Sequence, residues 1–335
     1  MAANSRRILL TGGAGFIGSH VAEALLRNHA CLSIVDNLDD FYSPAWKKAN
    51  LESIRKIGGF DFFEQDICSP DRMRETFASV RPDAVIHLAA RAGVRPSIEQ
   101  PRLYERVNVA GTVNLLDLCR ESRVSRLIFG SSSSVYGACA SAPFSEAQAG
   151  LRPISPYAAT KLAGELFCHT YAHLYKLPVI ALRFFTVYGP RQRPDLAIHK
   201  FVALIEAGKP LPIFGDGETG RDYTYVDDIV AGVLAALDYN FASSSTDQAP
   251  FEIFNLGNSH PVKLSELVRM LEAATGKKAI RKQEGLQQGD VPLTWADISK
   301  AEQLLSYQPR TTLEEGLEKF VTWYRAERLS MSSRD

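Results

Sequence analysis

The 335-residue chain carries 38 basic and 38 acidic side chains, and hydrophobic residues make up 45% of it. This balance is typical of a soluble globular protein and gives no electrostatic basis for bulk binding to nucleic acid or to a membrane surface. The cysteines show no spacing typical of metal ligands, so we interpret them as reduced thiols of a cytoplasmic protein without a metal site.

The first half of the chain alternates apolar runs with segments of helical periodicity. The six predicted strands are RRILLTGG, CLSIVDN, DFFEQDI, PDAVIHLAA, SRLIFGSSS and PVIALRFF. Helices are predicted at HVAEALLRN, 70–80, 101–122 and 157–176. This alternation predicts an α/β fold of the Rossmann type, in which helices cover both faces of a doubly wound parallel sheet.

The pattern changes after residue 184, where connections rich in proline and glycine replace the regular alternation. DDIVAGVLAALD then predicts a helix, FEIFNLG predicts one more strand, and two or three amphipathic helices follow from about residue 259. The apolar run IVAGVLAAL is too short to span a bilayer. We therefore predict a nucleotide-binding domain of residues 1–183 plus about 222–257, and a smaller mixed substrate-binding domain of about 184–221 plus 258–335.

The stretch TGGAGFIG lies between the first predicted strand and the first helix. Gly12, Gly15 and Gly18 there permit a tight turn, close approach of the backbone to a pyrophosphate, and close packing of the helix on the strand. The pyrophosphate would lie at the helix N-terminus, where unpaired N–H groups favour an anion. The context on both sides of the motif predicts a dinucleotide site.

Asp36 ends the second predicted strand, at the position where a carboxylate accepts hydrogen bonds from ribose hydroxyls. A carboxylate would repel a 2′-phosphate, and the first lysine or arginine after it is Lys47. These features favour NAD over NADP as the cofactor. The alternative interpretation is that Asp36 only forms a local turn.

SPYAATKLAGE opens the helix predicted at 157–176, and Tyr157 and Lys161 stand four residues apart on one face of it. A phenol has a pKa of about 10, and a nearby ammonium or an oxidised nicotinamide would lower it. Such a tyrosine can remove a hydroxyl proton while the cofactor accepts hydride from the same carbon. The alternative is a chance pair on a solvated helix.

These motifs together resemble those of the extended short-chain dehydrogenase/reductase superfamily. The resemblance rests on TGGAGFIG, the serine run SSSSVYG, and Tyr157 with Lys161. More narrowly, AGVRPSIEQPRLYERVNVAGT, LRFFTVYGP, RDYTYVDDIV and GDVPLTWADISKA resemble UDP-glucuronate 4-epimerases. The resemblance covers essentially the whole chain and implies retained NAD, a UDP-sugar substrate, and a homodimer formed through the helices at 101–122 and 157–176.

The resemblance also implies site residues. Ser132 would act with Tyr157 and Lys161 as a catalytic residue. The cofactor residues would be Gly12, Gly15, Phe16, Ile17, Gly18, Asp36, Asn37, Asp66, Ile67, Leu88, Ala89, Ala90, Asn108, Ser131, Tyr157 and Lys161. The substrate residues would be Arg95, Ser132, Ser133, Ser134, Thr186, Arg193, Lys200, Phe201, Arg221 and Asp290. The chain departs from the pattern at Arg91, where the family usually has glutamine, and at Gln192, where glycine or tryptophan is more usual.

The serine run bears on the type of reaction. Relatives that eliminate water or carbon dioxide from a 4-keto sugar have an acidic residue just before VYG, where this chain has Ser134. Without an acid or base there, return of the hydride is the expected fate of the intermediate, which predicts an epimerase. The alternatives are a polar loop without a chemical role, a UDP-glucose 4-epimerase, a UDP-sugar decarboxylase or dehydratase, and a non-catalytic NAD-binding protein. The pair of Tyr157 and Lys161 argues against the last of these.

A 4-keto glucuronate is a β-keto acid and loses carbon dioxide when its carboxylate bond aligns with the carbonyl π system. Ser133, Ser134 and Thr186 are predicted to hold the carboxylate out of alignment, with Arg193 as a charged latch. The alternative for Arg193 is a surface side chain. His169 and His173 lie one helical turn apart, but a third metal ligand with suitable spacing is not apparent.

Overall fold

The structure is a computed structural model that describes residues 6–137, 141–241, 249–285 and 291–332, with side chains to residue 327. The strands are β1 Arg7–Thr11, β2 Cys31–Asp36, β3 Asp61–Glu64, β4 Ala84–His87, β5 Arg126–Ser132, β6 Val179–Phe184, β7 Thr186–Tyr188, β8 Pro210–Phe214, β9 Gly220–Tyr225, β10 Phe251–Leu256, β11 Pro261–Lys263 and β12 Ile280–Glu284.

The helices follow the same chain order. They are α1 Phe16–Arg27, α2 Pro44–Arg55, α3 Pro70–Val80, α4 Val94–Glu99, α5 Pro101–Glu105, α6 Gly111–Glu121, α7 Pro156–Tyr175, α8 Ala197–Glu206, α9 Val226–Asp238, α10 Leu264–Thr275, α11 Ser299–Leu305 and α12 Leu313–Ser332. Arg106–Ala110 forms a π-helical turn between α5 and α6, and Ser133–Tyr136 forms a 3₁₀ turn after β5.

A seven-stranded parallel sheet forms the centre of the molecule, in the order β10-β6-β5-β4-β1-β2-β3. All seven strands predicted from apolar runs belong to this sheet, so the predicted α/β Rossmann-type fold is confirmed. The strand order reverses between β1 and β4, and ligands bind beyond the carboxyl ends of the strands at such a switch point. The glycine turn after β1 lies at this position.

Side chains on the two faces of the sheet enter different hydrophobic cores. Leu10 of β1 packs in a core shared with α1, α9 and the C-terminal helices. Its neighbour Leu9 packs in a second core with Met73 and Phe77 of α3 and Cys168 of α7. Consecutive residues of a strand point to opposite faces, so helices cover the sheet on both sides.

Two smaller sheets lie outside the central sheet. β9 pairs parallel with β7 and antiparallel with β11, and β8 pairs parallel with β12. The predicted C-terminal helices are present as α10, α11 and α12. None of the helices in the described part of the chain is both long enough and apolar enough to cross a membrane.

Two helical regions differ from the predictions. The helix predicted over 101–122 is divided by the π-helical turn, and π turns often mark functional positions. Helix α2 was missed because its sequence has few apolar positions, and it buries Lys47 and Asn50 beside Leu51 and Ile54. Lys47 and Asn50 are polar and do not fit an apolar stripe, so the helical periodicity of α2 is not visible in the sequence.

Candidate active site

The glycine turn has little room for side chains. Gly12 has a φ of 74°, and a Cβ there would lie 2.6 Å from the backbone nitrogen of Ala89. A Cβ on Gly18 would lie 2.1 Å from the carbonyl oxygen of Gly12. Glycine is therefore required at both positions. At Gly12 it lets the turn approach the end of β4, and at Gly18 it lets α1 start close to β1.

A cavity of about 240 Å³ opens beside this turn. Every residue predicted to bind the cofactor lines it except Asn108. The wall also contains Asp39, Phe41, Tyr42, Lys47, Arg91 and Arg193. The sequence did not indicate that most of these additional residues meet here, because they come from helix α2 and from three loops that are distant along the chain.

Asp36 has hydrogen-bond partners on both carboxylate oxygens. The backbone N–H of Ala14 donates to Oδ2 at 3.1 Å, and that of Leu38 donates to Oδ1 at 2.9 Å. Lys47 Nζ lies 3.9 Å from Oδ1 because α2 folds back over β2. Burial raises the pKa of Asp36, and Lys47 opposes that shift. Asp36 thus forms a local turn and also faces the cavity, so a role in the turn is compatible with binding of a ribose.

Asn108 lies behind the cavity wall and is 2% exposed. Its side chain accepts a 2.8 Å hydrogen bond from the N–H of Arg91 and donates a 2.9 Å hydrogen bond to the carbonyl oxygen of Arg91. It also donates to Thr160 Oγ1 at 3.0 Å. Asn108 therefore connects the loop after β4 to α7 and positions the wall of the cavity.

Helix α7 carries Tyr157 and Lys161 into the cavity. The Ser155 hydroxyl accepts a hydrogen bond from the N–H of Ala158, and Pro156 occupies the first turn, so the helix starts just before Tyr157. Lys161 Nζ donates to the carbonyl oxygen of Gly130 at 2.7 Å. Burial lowers the pKa of the Lys161 amine to about 8.

The phenol of Tyr157 differs from the sequence-based expectation. Burial raises its pKa, while hydrogen bonding to Ser132 and the charge of Arg193 oppose that shift. We expected the Lys161 ammonium to lower the pKa of the Tyr157 phenol, and this lowering is not found. Burial of the phenol dominates, and Lys161 extends to the backbone of β5. Ser132 and Tyr157 are brought together as predicted.

The serine run is divided between two environments. Ser131 donates a 2.5 Å hydrogen bond to Glu165 Oε1, beneath the cavity. Ser132 Oγ accepts from the N–H of Ser134 at 3.2 Å and donates to Ser134 Oγ at 3.1 Å, which holds the 3₁₀ turn. The hydroxyls therefore have fixed positions at the end of β5, so this segment is not an unstructured polar loop.

A buried ion pair supports the serine run and was missed in the sequence. Arg183 donates to both oxygens of Glu165, at 2.9 and 2.7 Å, and both side chains are 3% exposed. Burial disfavours the charge on Arg183, but Glu165 more than offsets this and raises its pKa. The sequence could have indicated this pair, because Arg183 lies within the apolar run PVIALRFF and a buried charged side chain requires a partner of opposite charge.

A second cavity, of about 140 Å³, lies beyond the serine run. Ser133, Ser134, Thr186 and Arg221 line it together with Val94, Gly137, Phe144, Ile154, Ser155, Val291 and Thr294. Four of the predicted substrate residues are therefore brought together in one cavity. Ser132 ends β5 directly before Ser133, and it acts on the Tyr157 phenol.

The remaining predicted substrate residues have other surroundings. Arg193 lines the first cavity and is paired with Asp195. Phe201 packs in the hydrophobic core because it lies on the inward face of α8, while Lys200 beside it is exposed. Arg95 is exposed on α4, with its guanidinium 5.5 Å from the centre of the Phe214 ring. Asp290 lies outside the described residues.

Residues 9–320 match the GDP-mannose 4,6 dehydratase family. The chain belongs to this family. The match extends from β1 to α12 and therefore includes the central sheet, the two smaller sheets and both cavities. The resemblance to the extended short-chain dehydrogenase/reductase superfamily is confirmed.

Individual relatives and solved structures are also similar to this chain. A UDP-glucuronate 4-epimerase of Thermodesulfobacterium geofontis is 44% identical over 316 residues, which cover 94% of this chain and 95% of that protein. The structure of UDP-glucuronic acid 4-epimerase from Bacillus cereus, in complex with UDP-glucuronic acid and NAD, has a TM-score of 0.87 at 38% identity, covering 96% of this chain and 99% of that one. UDP-glucose 4-epimerase of Thermotoga maritima, with UDP-glucose, has the same TM-score at 33% identity and the same coverage.

Proposed function

We propose that the protein is an NAD-dependent UDP-glucuronate 4-epimerase that interconverts UDP-glucuronate and UDP-galacturonate through a 4-keto intermediate. One observation carries the proposal: Tyr157 and Lys161 line the cavity beside the glycine turn, and Ser132, which acts on the Tyr157 phenol, directly precedes Ser133 and Ser134 in the wall of a second cavity. The relatives from T. geofontis and B. cereus support the same substrate.

The first cavity fits NAD. Gly15, Phe16, Ile17 and Gly18 form its wall at the start of α1, where backbone N–H groups favour a diphosphate. Asp36, which would accept hydrogen bonds from the ribose hydroxyls, lines the same cavity, and a Cβ on Gly12 would clash with the backbone of Ala89. NAD bound there would supply the hydride acceptor for oxidation of carbon 4 and, once reduced, the hydride donor for its reduction.

Tyr157 is the proposed proton acceptor for the hydroxyl on carbon 4. Its buried phenol favours the neutral form, so a positive charge beside it is needed to favour the phenolate. The Ser132 hydroxyl opposes the rise in the pKa of this phenol, and it can share the proton with the sugar oxygen. Lys161, held by Gly130, places a positive charge in the same cavity.

The arrangement of acidic groups argues against elimination. Ser134 provides a hydroxyl where an eliminating relative would have a carboxyl group. The nearest acid identified beneath the serine run, Glu165, is bound by Ser131 and Arg183 and is therefore not a free base. Ser133, Ser134 and Thr186 can instead hold the sugar's carboxylate away from alignment with the ketone.

A UDP-glucose 4-epimerase is the second candidate, because the T. maritima enzyme has the same TM-score as the B. cereus one. The two candidates differ only in the group on carbon 5 of the sugar. The deciding experiment incubates the protein separately with UDP-glucuronate, UDP-glucose and UDP-N-acetylglucosamine and identifies the products by NMR. We expect UDP-galacturonate from the first; epimerisation of UDP-glucose alone would establish the second candidate.

The assembly is part of the proposal. We infer a nucleotide-binding domain of residues 1–183 plus about 222–257 and a substrate-binding domain of about 184–221 plus 258–335. We also infer a cytoplasmic homodimer. Leu166 and Leu174, two turns apart on α7, are 62% and 60% exposed, and pairing of this helix between two copies would cover them.

A further inference from the structure

The guanidinium of Arg193 is held by two groups. Its Nε and Nη2 donate to Asp195 Oδ1 and Oδ2 at 3.0 and 2.9 Å. Its Cζ lies 5.3 Å from the centre of the Phe41 ring. A two-pronged ion pair fixes the plane and direction of a guanidinium, and stacking on a ring restricts it further. Arg193 is therefore oriented before any substrate arrives.

Phe41 is itself held in place. The Arg91 guanidinium lies over the same ring, with its Cζ 5.1 Å from the ring centre, and Arg91 pairs with Asp39. Phe41 comes from the loop after β2, Arg91 from the loop after β4, and Arg193 from the loop after β7. The three loops meet on one wall of the first cavity.

The oriented arginine lies near the proposed reacting carbon. Arg193 and Tyr157 line the same cavity, and the charge of Arg193 opposes the rise in the pKa of the phenol. A guanidinium has more N–H donors than the pair with Asp195 uses. The carboxylate of a glucuronate is on carbon 5, next to the carbon on which Tyr157 acts. The remaining donors of Arg193 therefore suit that carboxylate.

We propose that Asp195 and Phe41 are positioning residues that determine specificity for a uronate: they hold Arg193 with its remaining N–H donors directed at the carboxylate on carbon 5. This inference rests on the proposed function. Asp195 is 39% exposed and Arg193 is 16% exposed, so the aspartate charge stays in contact with water while the guanidinium faces the cavity. Asp195 then supports the binding of the substrate's carboxylate and does not compete with it.

The test measures the affinity of Asp195→Asn for UDP-glucuronate and for UDP-glucose by calorimetry, with NAD content and melting temperature as checks. We expect UDP-glucuronate to bind about tenfold more weakly, the order of effect for one charge-assisted interaction, and UDP-glucose to bind as in the wild type. KM for UDP-glucuronate should rise more than kcat falls. Phe41→Leu should have the same effect as Asp195→Asn, with weaker binding of UDP-glucuronate and unchanged binding of UDP-glucose. Asp195→Glu keeps the carboxylate and should therefore restore much of the discrimination between the two sugars.

Asp238→Asn is the matched control, because it removes an exposed aspartate–arginine pair, with Arg6, away from both cavities. An equal loss of affinity for both sugars in Asp195→Asn would indicate a merely structural role and overturn the inference. Tighter binding of UDP-glucuronate would show that Asp195 competes with the substrate, and unchanged affinities would show no role; either result also overturns it. Wild-type protein that converts UDP-glucose but not UDP-glucuronate would overturn the proposed function itself and the inference with it.

Discussion

The Ser131 hydroxyl donates a 2.5 Å hydrogen bond to Glu165 Oε1, and this bond joins the end of β5 to α7. The same carboxylate is bound by Arg183 of β6. Strand β5 carries the serines and α7 carries Tyr157 and Lys161. The buried group therefore fixes the distance between the two elements that form the proposed catalytic site.

Glu165→Gln should destabilise the protein strongly, because it leaves the charge of Arg183 buried without its counter-ion. We expect a loss of about 3–5 kcal/mol in the free energy of unfolding, measured by urea denaturation. Glu266→Gln is the control, because it breaks a pair with Arg269 in which both side chains are well exposed and should cost no more than about 1 kcal/mol. Similar losses in the two variants would contradict the structural role of the buried pair.

Gly18→Ala should impair cofactor binding. The added Cβ would lie 2.1 Å from the carbonyl oxygen of Gly12, so the turn must shift. We expect the dissociation constant of NAD to rise at least about tenfold, which corresponds to the low end of the cost of overpacking. The measurement is equilibrium dialysis with NAD. Gly59→Ala is the control because a Cβ there would meet nothing within 4 Å; NAD affinity unchanged in both variants would rule out the proposed packing role of Gly18.

Tyr157→Phe should remove the proton acceptor and keep the ring. Turnover should fall at least about a hundredfold, the low end for general-base catalysis, while NAD remains bound. Steady-state rates and the NAD content of the purified variant provide the measurement. If the variant epimerised UDP-glucuronate at nearly the wild-type rate, the base would have to be another group.

Thr186→Val should weaken control of the carboxylate with little change in volume. Thr186 lines the second cavity with Ser133 and Ser134, and losing its hydroxyl should free the 4-keto intermediate to lose carbon dioxide. We expect the ratio of UDP-4-keto-pentose to UDP-galacturonate to rise roughly tenfold, from a hydrogen bond to a charged group worth about 1.5–3 kcal/mol. Mass spectrometry gives the ratio, with UDP-glucose as the substrate that has no carboxylate to lose. An unchanged ratio would remove Thr186 from this role.

Local sequence patterns were sufficient to predict the sheet and the glycine turn. The apolar strands follow one another at regular intervals, and TGGAGFIG combines its strand, turn and helix within one short stretch. The start of α7 was predictable for the same reason, since Ser155 and Pro156 directly precede Tyr157.

Contacts between distant segments were not predictable in the same way. Lys47 reaches Asp36 only because α2 folds back, and Arg91 reaches Asp39 across two loops. Phe201 was placed at the substrate by the resemblance, and the sequence did not show that its side chain packs in the core. Arg193 pairs with Asp195 two residues further along the chain, but its contact with the Phe41 ring joins two loops that are distant in sequence.

The central claim is that carbon 4 of the sugar gives up its hydrogen and receives the same hydrogen back. The most direct measurement uses UDP-glucuronate labelled with deuterium on carbon 4, converted in ordinary water and analysed by NMR. The account predicts UDP-galacturonate with the deuterium still on carbon 4 and no accumulation of NADH. Product that carries hydrogen from the solvent on carbon 4, or NADH formed in proportion to the substrate consumed, would contradict it.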